Sequence, residues 1–140
     1  MWIPIFNITF IAARFHFIDR EKRRKSHVQM RRITESIRKE GRSIVIAPEG
    51  TRSTDGELKP FKMGGFHLAA TTQHPIVPMV VCGASALMPK GSWICRPGDL
   101  WVRFLPAIPS DRAHASDVHA MRTYVYGVMK DGLAQLKSEH

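Results

Sequence analysis

Apolar residues in this chain fall into two patterns, short unbroken runs and rows at helical spacing, and the two kinds alternate along it. Phe15–Asp19 reads as a short strand ending at Arg20. Within Ser26–Glu40 the residues Met30, Ile33 and Ile37 share one helical face and polar groups fill the other. Gly41 stands where a C-cap belongs, so the spacing predicts an amphipathic basic helix. Ser43-Ile44-Val45-Ile46-Ala47 is a β-branched run suited to a buried strand, stopped by Pro48. A polar loop, Glu49–Pro60, leads to a helix over Met63–Thr72 carrying Phe66, Leu68 and Ala69. Pro75–Val81 follows as a second buried strand with its prolines at and near its start. Gly83–Gly98 is irregular, and Leu100–Leu105 is a further strand. A last helix starts at about Asp117, with Ser116 as N-cap, and runs through Val118, Met121, Val125, Val128 and Met129 to Leu136.

Strands alternating with helices predict an α/β fold with a mainly parallel central sheet flanked by helices, spanning residues 1–140 as a single domain. In such sheets ligands collect beyond the carboxyl ends of the strands, where the loop after Ile46 belongs. Met1–Ala13 is apolar but shorter than the roughly 18–20 residues of a spanning helix. It fits a packing surface or a patch on a bilayer interface. With no positive region ahead of it and Pro4 inside it, it fits a secretory signal poorly.

Composition narrows the partners. The 140 residues are 44% hydrophobic and 24% charged, with a net charge of +9, and the basic excess is concentrated in residues 1–40. Anionic partners come to the front: phosphates, acidic lipid or nucleic acid. The basic run Arg20, Lys22, Arg23, Arg24 and Lys25 fits a solvated face or an anionic membrane surface. It lacks interleaved aromatic residues, which disfavours nucleic acid. Cys82 and Cys95 form neither a CxxC nor a zinc pattern, so a reducing, cytoplasmic setting is expected, without a bound metal.

The segment richest in chemistry is Ala47-Pro48-Glu49-Gly50-Thr51-Arg52-Ser53. A guanidinium, two hydroxyls and backbone N–H groups on a tight glycine turn can converge on one anion, although the same composition also suits an ordinary turn. Glu49 is either the partner that orients Arg52 or a solvated charge. The histidines show no HExxH spacing, no GxSxG is present, and neither nucleotide-loop glycine motif occurs.

Four stretches in order, Phe15-His16-Phe17-Ile18-Asp19-Arg20, Pro48-Glu49-Gly50-Thr51-Arg52-Ser53, Pro60–Ala69 (PFKMGGFHLA) and Pro75-Ile76-Val77-Pro78, resemble blocks of the glycerolipid acyltransferases. The type member of that family is 1-acylglycerol-3-phosphate (lysophosphatidate) acyltransferase. The resemblance covers most of residues 1–105. It implies a fold like that of glycerol-3-phosphate acyltransferase. It also implies transfer of a fatty acyl group from acyl-CoA or acyl carrier protein, as co-substrate and with no other cofactor, to a lysophospholipid hydroxyl. The setting would be the cytoplasmic face of a membrane, with this chain attached peripherally to an anionic surface. By the same resemblance Arg20 and Arg52 clamp the acceptor phosphate, Glu49, Gly50, Thr51 and Ser53 shape that loop, and Lys62 adds a cation. Pro78 belongs to the acyl side or to the structure.

The family's catalytic block is His, four residues, Asp, with the His acting as general base. Five positions beyond each histidine that has such a position stand Glu21, Arg32, Thr72, Met79, His119 and Tyr124, never Asp. No catalytic residue is therefore assigned. The expectation is an N-terminally truncated member with little or no acyl transfer of its own. The alternative is a non-catalytic module that binds phospholipid headgroups or membrane surfaces.

Overall fold

The computed structural model describes residues 33–41, 43–50, 56–89, 92, 94, 96–110 and 117–140. The chain divides into two compact units, Met1–Ser43 and Ile44–His140. In the first, residues 33–40 form helix α1, with Ile33 and Ile37 buried and Arg38, Lys39 and Glu40 exposed. Gly41 caps it at φ 62°, donating its N–H to the Ile37 carbonyl at 3.1 Å. This is the C-terminal part of the expected amphipathic helix. The expected strand at Phe15–Asp19 lies outside the described residues.

The second unit is built around one long helix. Helix α2 is Gly64–Thr72 and helix α3 the single turn Ala84–Leu87; α4, Val118–Glu139, supplies most of the core. Met121, Val125, Met129, Leu133 and Leu136 recur three and four apart along α4 and are buried with Phe61, Phe66, Val80 and Ile108. Strand β1, Met79–Cys82, lies against α4, and β2, Trp101–Phe104, pairs with β1. The N-cap of α4 is Asp117 rather than Ser116. Its carboxylate accepts the N–H groups of His119 (2.9 Å) and Ala120 (3.1 Å), a position where the helix's partial positive charge favours an anion.

The sheet departs from expectation. Among the described residues it has two strands and they are antiparallel, Met79 opposite Phe104 and Cys82 opposite Trp101. A mainly parallel arrangement is not what these two form, because the chain folds back on itself after β1. Gly83, at φ 90°, opens the connection to β2, and a β-carbon there would meet the main chain at Asp99 and Leu100. The expected strand Pro75–Val81 is broken in two. Ile76 pairs with Ile108 (2.9 and 2.7 Å), then Pro78 contributes only its carbonyl, to Leu105 N–H at 2.9 Å, before β1 begins. Between these pairings two residues on one arm face three on the other, a bulge-like offset around Pro106.

The run Ser43–Ala47 enters no ladder among the described residues, and Val45 is 78% exposed. A strand needs hydrogen-bonding neighbours as well as β-branched side chains, and among the described residues this run meets only the second condition. The β1–β2 ribbon has a covered face, with Val80 in the core. Its other face, Val81, Val102 and Phe104, is exposed. No described helix is long and apolar enough to cross a membrane.

Candidate functional site

Chemistry-bearing residues gather where the run 43–47 turns into the polar loop. Pro48 and Glu49 form the turn, and the Gly50 N–H returns to the Ala47 carbonyl at 3.2 Å. The other end of the loop comes back to this turn. The Lys62 N–H donates to the Pro48 carbonyl at 2.8 Å, and the Lys59 N–H donates to Glu49 Oε2 at 3.1 Å. Residues ten apart in sequence are thus joined at the base of the loop by a carboxylate accepting from the main chain.

Phe61 sets the position of Lys62. Its ring is buried, 6.2 Å from Phe66 and 5.0 Å edge-on from Tyr126 of α4, so the next side chain emerges at the surface. Lys62 then folds over Gly50: a β-carbon at Gly50, where φ is 70°, would stand 2.8 Å from both Cε and Nζ of the lysine. Gly50 therefore serves as more than a flexible turn residue. Its bare α-carbon is the seat on which the ammonium rests. Among the described residues Lys62 enters no ion pair.

Of the residues expected at the phosphate site, the structure brings together Glu49, Gly50 and Lys62. Arg20, Thr51, Arg52 and Ser53 lie outside the described residues. Glu49 has the Lys59 main chain as a described partner, and Arg52, which it was expected to orient, lies outside the described residues. Pro78 is buried at the entrance to β1 and serves the ladder through its carbonyl.

Two further supports escaped the sequence reading. Tyr126 donates its hydroxyl to the Leu58 carbonyl at 3.3 Å, and Lys137 pairs with Glu57 at 2.6 Å. Both hold the returning arm of the loop against α4. The available signal was a tyrosine inside the apolar row of the last helix, since a packed tyrosine needs a partner for its hydroxyl. Which carbonyl would meet it depends on contacts 68 residues away in the chain.

The loop, stitched at its base and with the end of Lys62 over Gly50, lies inside the segment that a family model matches. The chain belongs to the Acyltransferase family, whose model matches residues 1–82. Among its relatives are the 1-acyl-sn-glycerol-3-phosphate acyltransferases of Cocos nucifera and of Escherichia coli K12. The first is 30% identical, over 96% of this chain and 44% of that protein. The second is also 30% identical, over 99% of this chain and 56% of that protein. The crystal structure of the 1-acyl-sn-glycerophosphate (LPA) acyltransferase PlsC from Thermotoga maritima superposes with a TM-score of 0.73 at 30% identity, covering 81% of this chain and 46% of that one. The chain spans about half the length of the curated relatives it matches.

Proposed function

We propose that this chain is the acceptor-binding part of a 1-acylglycerol-3-phosphate acyltransferase of phospholipid synthesis. In the complete reaction the acceptor's free hydroxyl attacks the thioester carbonyl of an acyl-CoA or acyl carrier protein, the acyl–oxygen bond forms, and the thiol leaves. This chain's share is to hold the acceptor phosphate, with Lys62 on the Gly50 seat and Arg20 and Arg52 completing the cationic grip. Glu49, Thr51 and Ser53 shape the loop. The two units act as one acyltransferase-like domain, which the family match supports by running across their boundary. The expected mainly parallel sheet would include the run Ser43–Ala47. Attachment is peripheral, to an anionic membrane surface on its cytoplasmic side.

The observation that carries this reading is the ammonium of Lys62 seated over Gly50, within a motif order shared with the family. The chain alone transfers little or no acyl group. No histidine is followed five positions on by aspartate, and a general base contributes about 10²–10⁴ in rate.

The test is a titration of the purified chain with glycerol 3-phosphate and with a short-chain lysophosphatidate, followed by calorimetry. Each charge-assisted contact contributes about 1.5–3 kcal/mol, so Lys62→Ala and Arg52→Ala should each weaken binding by about tenfold or more. Unchanged affinity in either variant removes that residue from the site. Steady turnover of acyl-CoA with lysophosphatidate by the same sample would overturn the inactivity. The missing His–Asp spacing also favours a second reading, a non-catalytic headgroup-binding module; co-sedimentation with anionic vesicles, with acyl transfer undetectable, would select it.

A further inference from the structure

The loop is fastened at its base from two directions, and each fastening joins a side chain to the loop's main chain. From within the loop, Glu49 Oε2 accepts the Lys59 N–H at 3.1 Å. From outside, α4 holds the neighbouring residue: the Tyr126 hydroxyl reaches the Leu58 carbonyl at 3.3 Å while its ring packs edge-on against Phe61 at 5.0 Å. Lys59 and Lys62 lie on either side of Phe61, so these contacts fix the backbone from which Lys62 projects.

We propose that Glu49 and Tyr126 are positioning residues that form a clasp, and that they contribute to phosphate recognition only by keeping the Lys62 ammonium on the Gly50 seat. The proposal rests on the acceptor-binding reading above and deepens it. Chemistry favours it for Glu49, since a carboxylate placed directly on a phosphate would repel it, whereas one spent on a main-chain N–H can sit beside a cationic site without touching the anion. For Tyr126 the argument is location. It lies on α4, beyond residues 1–82 that the family model matches, so the recognition loop leans on a helix outside the shared motifs.

The experiment compares Glu49→Ala, Glu49→Gln and Tyr126→Phe in the 140-residue chain, reading hydrogen exchange at the Lys59 amide and affinity for glycerol 3-phosphate. Glu49→Ala should speed Lys59 exchange by about tenfold and weaken binding by about the same factor. Glu49→Gln keeps an acceptor oxygen and should restore both to within about threefold. Tyr126→Phe keeps the ring and should weaken binding by about two- to threefold. Lys62→Ala should lose affinity with Lys59 exchange unchanged, which separates the clasp from the cation it holds. Wild-type exchange and affinity in Glu49→Ala would overturn the proposal. So would a Gln variant as weak as the Ala variant, because the charge rather than the accepted hydrogen bond would then matter. If the wild-type chain binds no phosphomonoester, the acceptor-binding reading fails, while Lys59 exchange in the two Glu49 variants still decides whether the clasp exists.

Discussion

Ile44-Val45-Ile46 and Met79-Val80-Val81 are near equals in composition and opposites in outcome. The second run finds β2 beside it and α4 across one face, and Val80 retains 2% of its exposure. The first finds no ladder among the described residues, and Val45 keeps 78%. A β-branched run states a capacity for pairing; whether pairing occurs is decided by a second segment elsewhere in the chain.

The sharpest way to break this comparison is to place the same charge in both runs. Val80→Asp would bury a carboxylate with no partner and should cost about 3 kcal/mol or more, enough to unfold the second unit in a urea titration. Next in size is Asp117→Ala, which removes the cap of the helix that covers β1. About 1 kcal/mol should be lost, seen as a lower denaturation midpoint with an unchanged slope. Val45→Asp is the counterpart of the first substitution and should change stability by no more than about 0.5 kcal/mol. A loss near that of Val80→Asp would mean that the two runs are equally covered in solution.

The smallest effect concerns the tie between β2 and the end of α4. Arg103 donates to both carboxylate oxygens of Glu139, and this hydrogen bonding holds the Glu139 carboxyl below its ordinary range and the guanidinium above its own. A lowered folded-state carboxyl contributes above the unfolded value and is lost as pH falls through the lowered one. The pair is exposed, so Glu139→Gln should lower stability only slightly at neutral pH, and the difference from wild type should vanish as pH falls through the lowered carboxyl value.

Helices were legible from sequence because their signals are local. Met121, Val125 and Met129 mark the buried row of α4, Phe66 and Leu68 face the core from α2, and Gly41 caps α1 where expected. The cap of α4 shifted by one residue because Asp117 is as good an acceptor as Ser116 and carries charge besides. Strand relations were not legible. Antiparallel pairing of β1 with β2 follows from the reversal after Cys82, and the break at Pro78 from a missing N–H whose effect depends on which neighbour needs it. In the site, motif order pointed to Glu49, Gly50 and Lys62. That Glu49 accepts from the Lys59 main chain, and that Tyr126 supports the same arm, are long-range facts that no spacing rule contains.

Gly83 carries a consequence for how this chain can change. A β-carbon there would run into the carbonyl oxygen of Asp99, an atom of the main chain with no rotamer to retreat into. Most positions in a fold accept a range of side chains by small adjustments of their neighbours. This one behaves like a gauge with zero tolerance: a single added methyl would press on the main chain at the end of the strand pair, so the alphabet available at that codon shrinks to one letter.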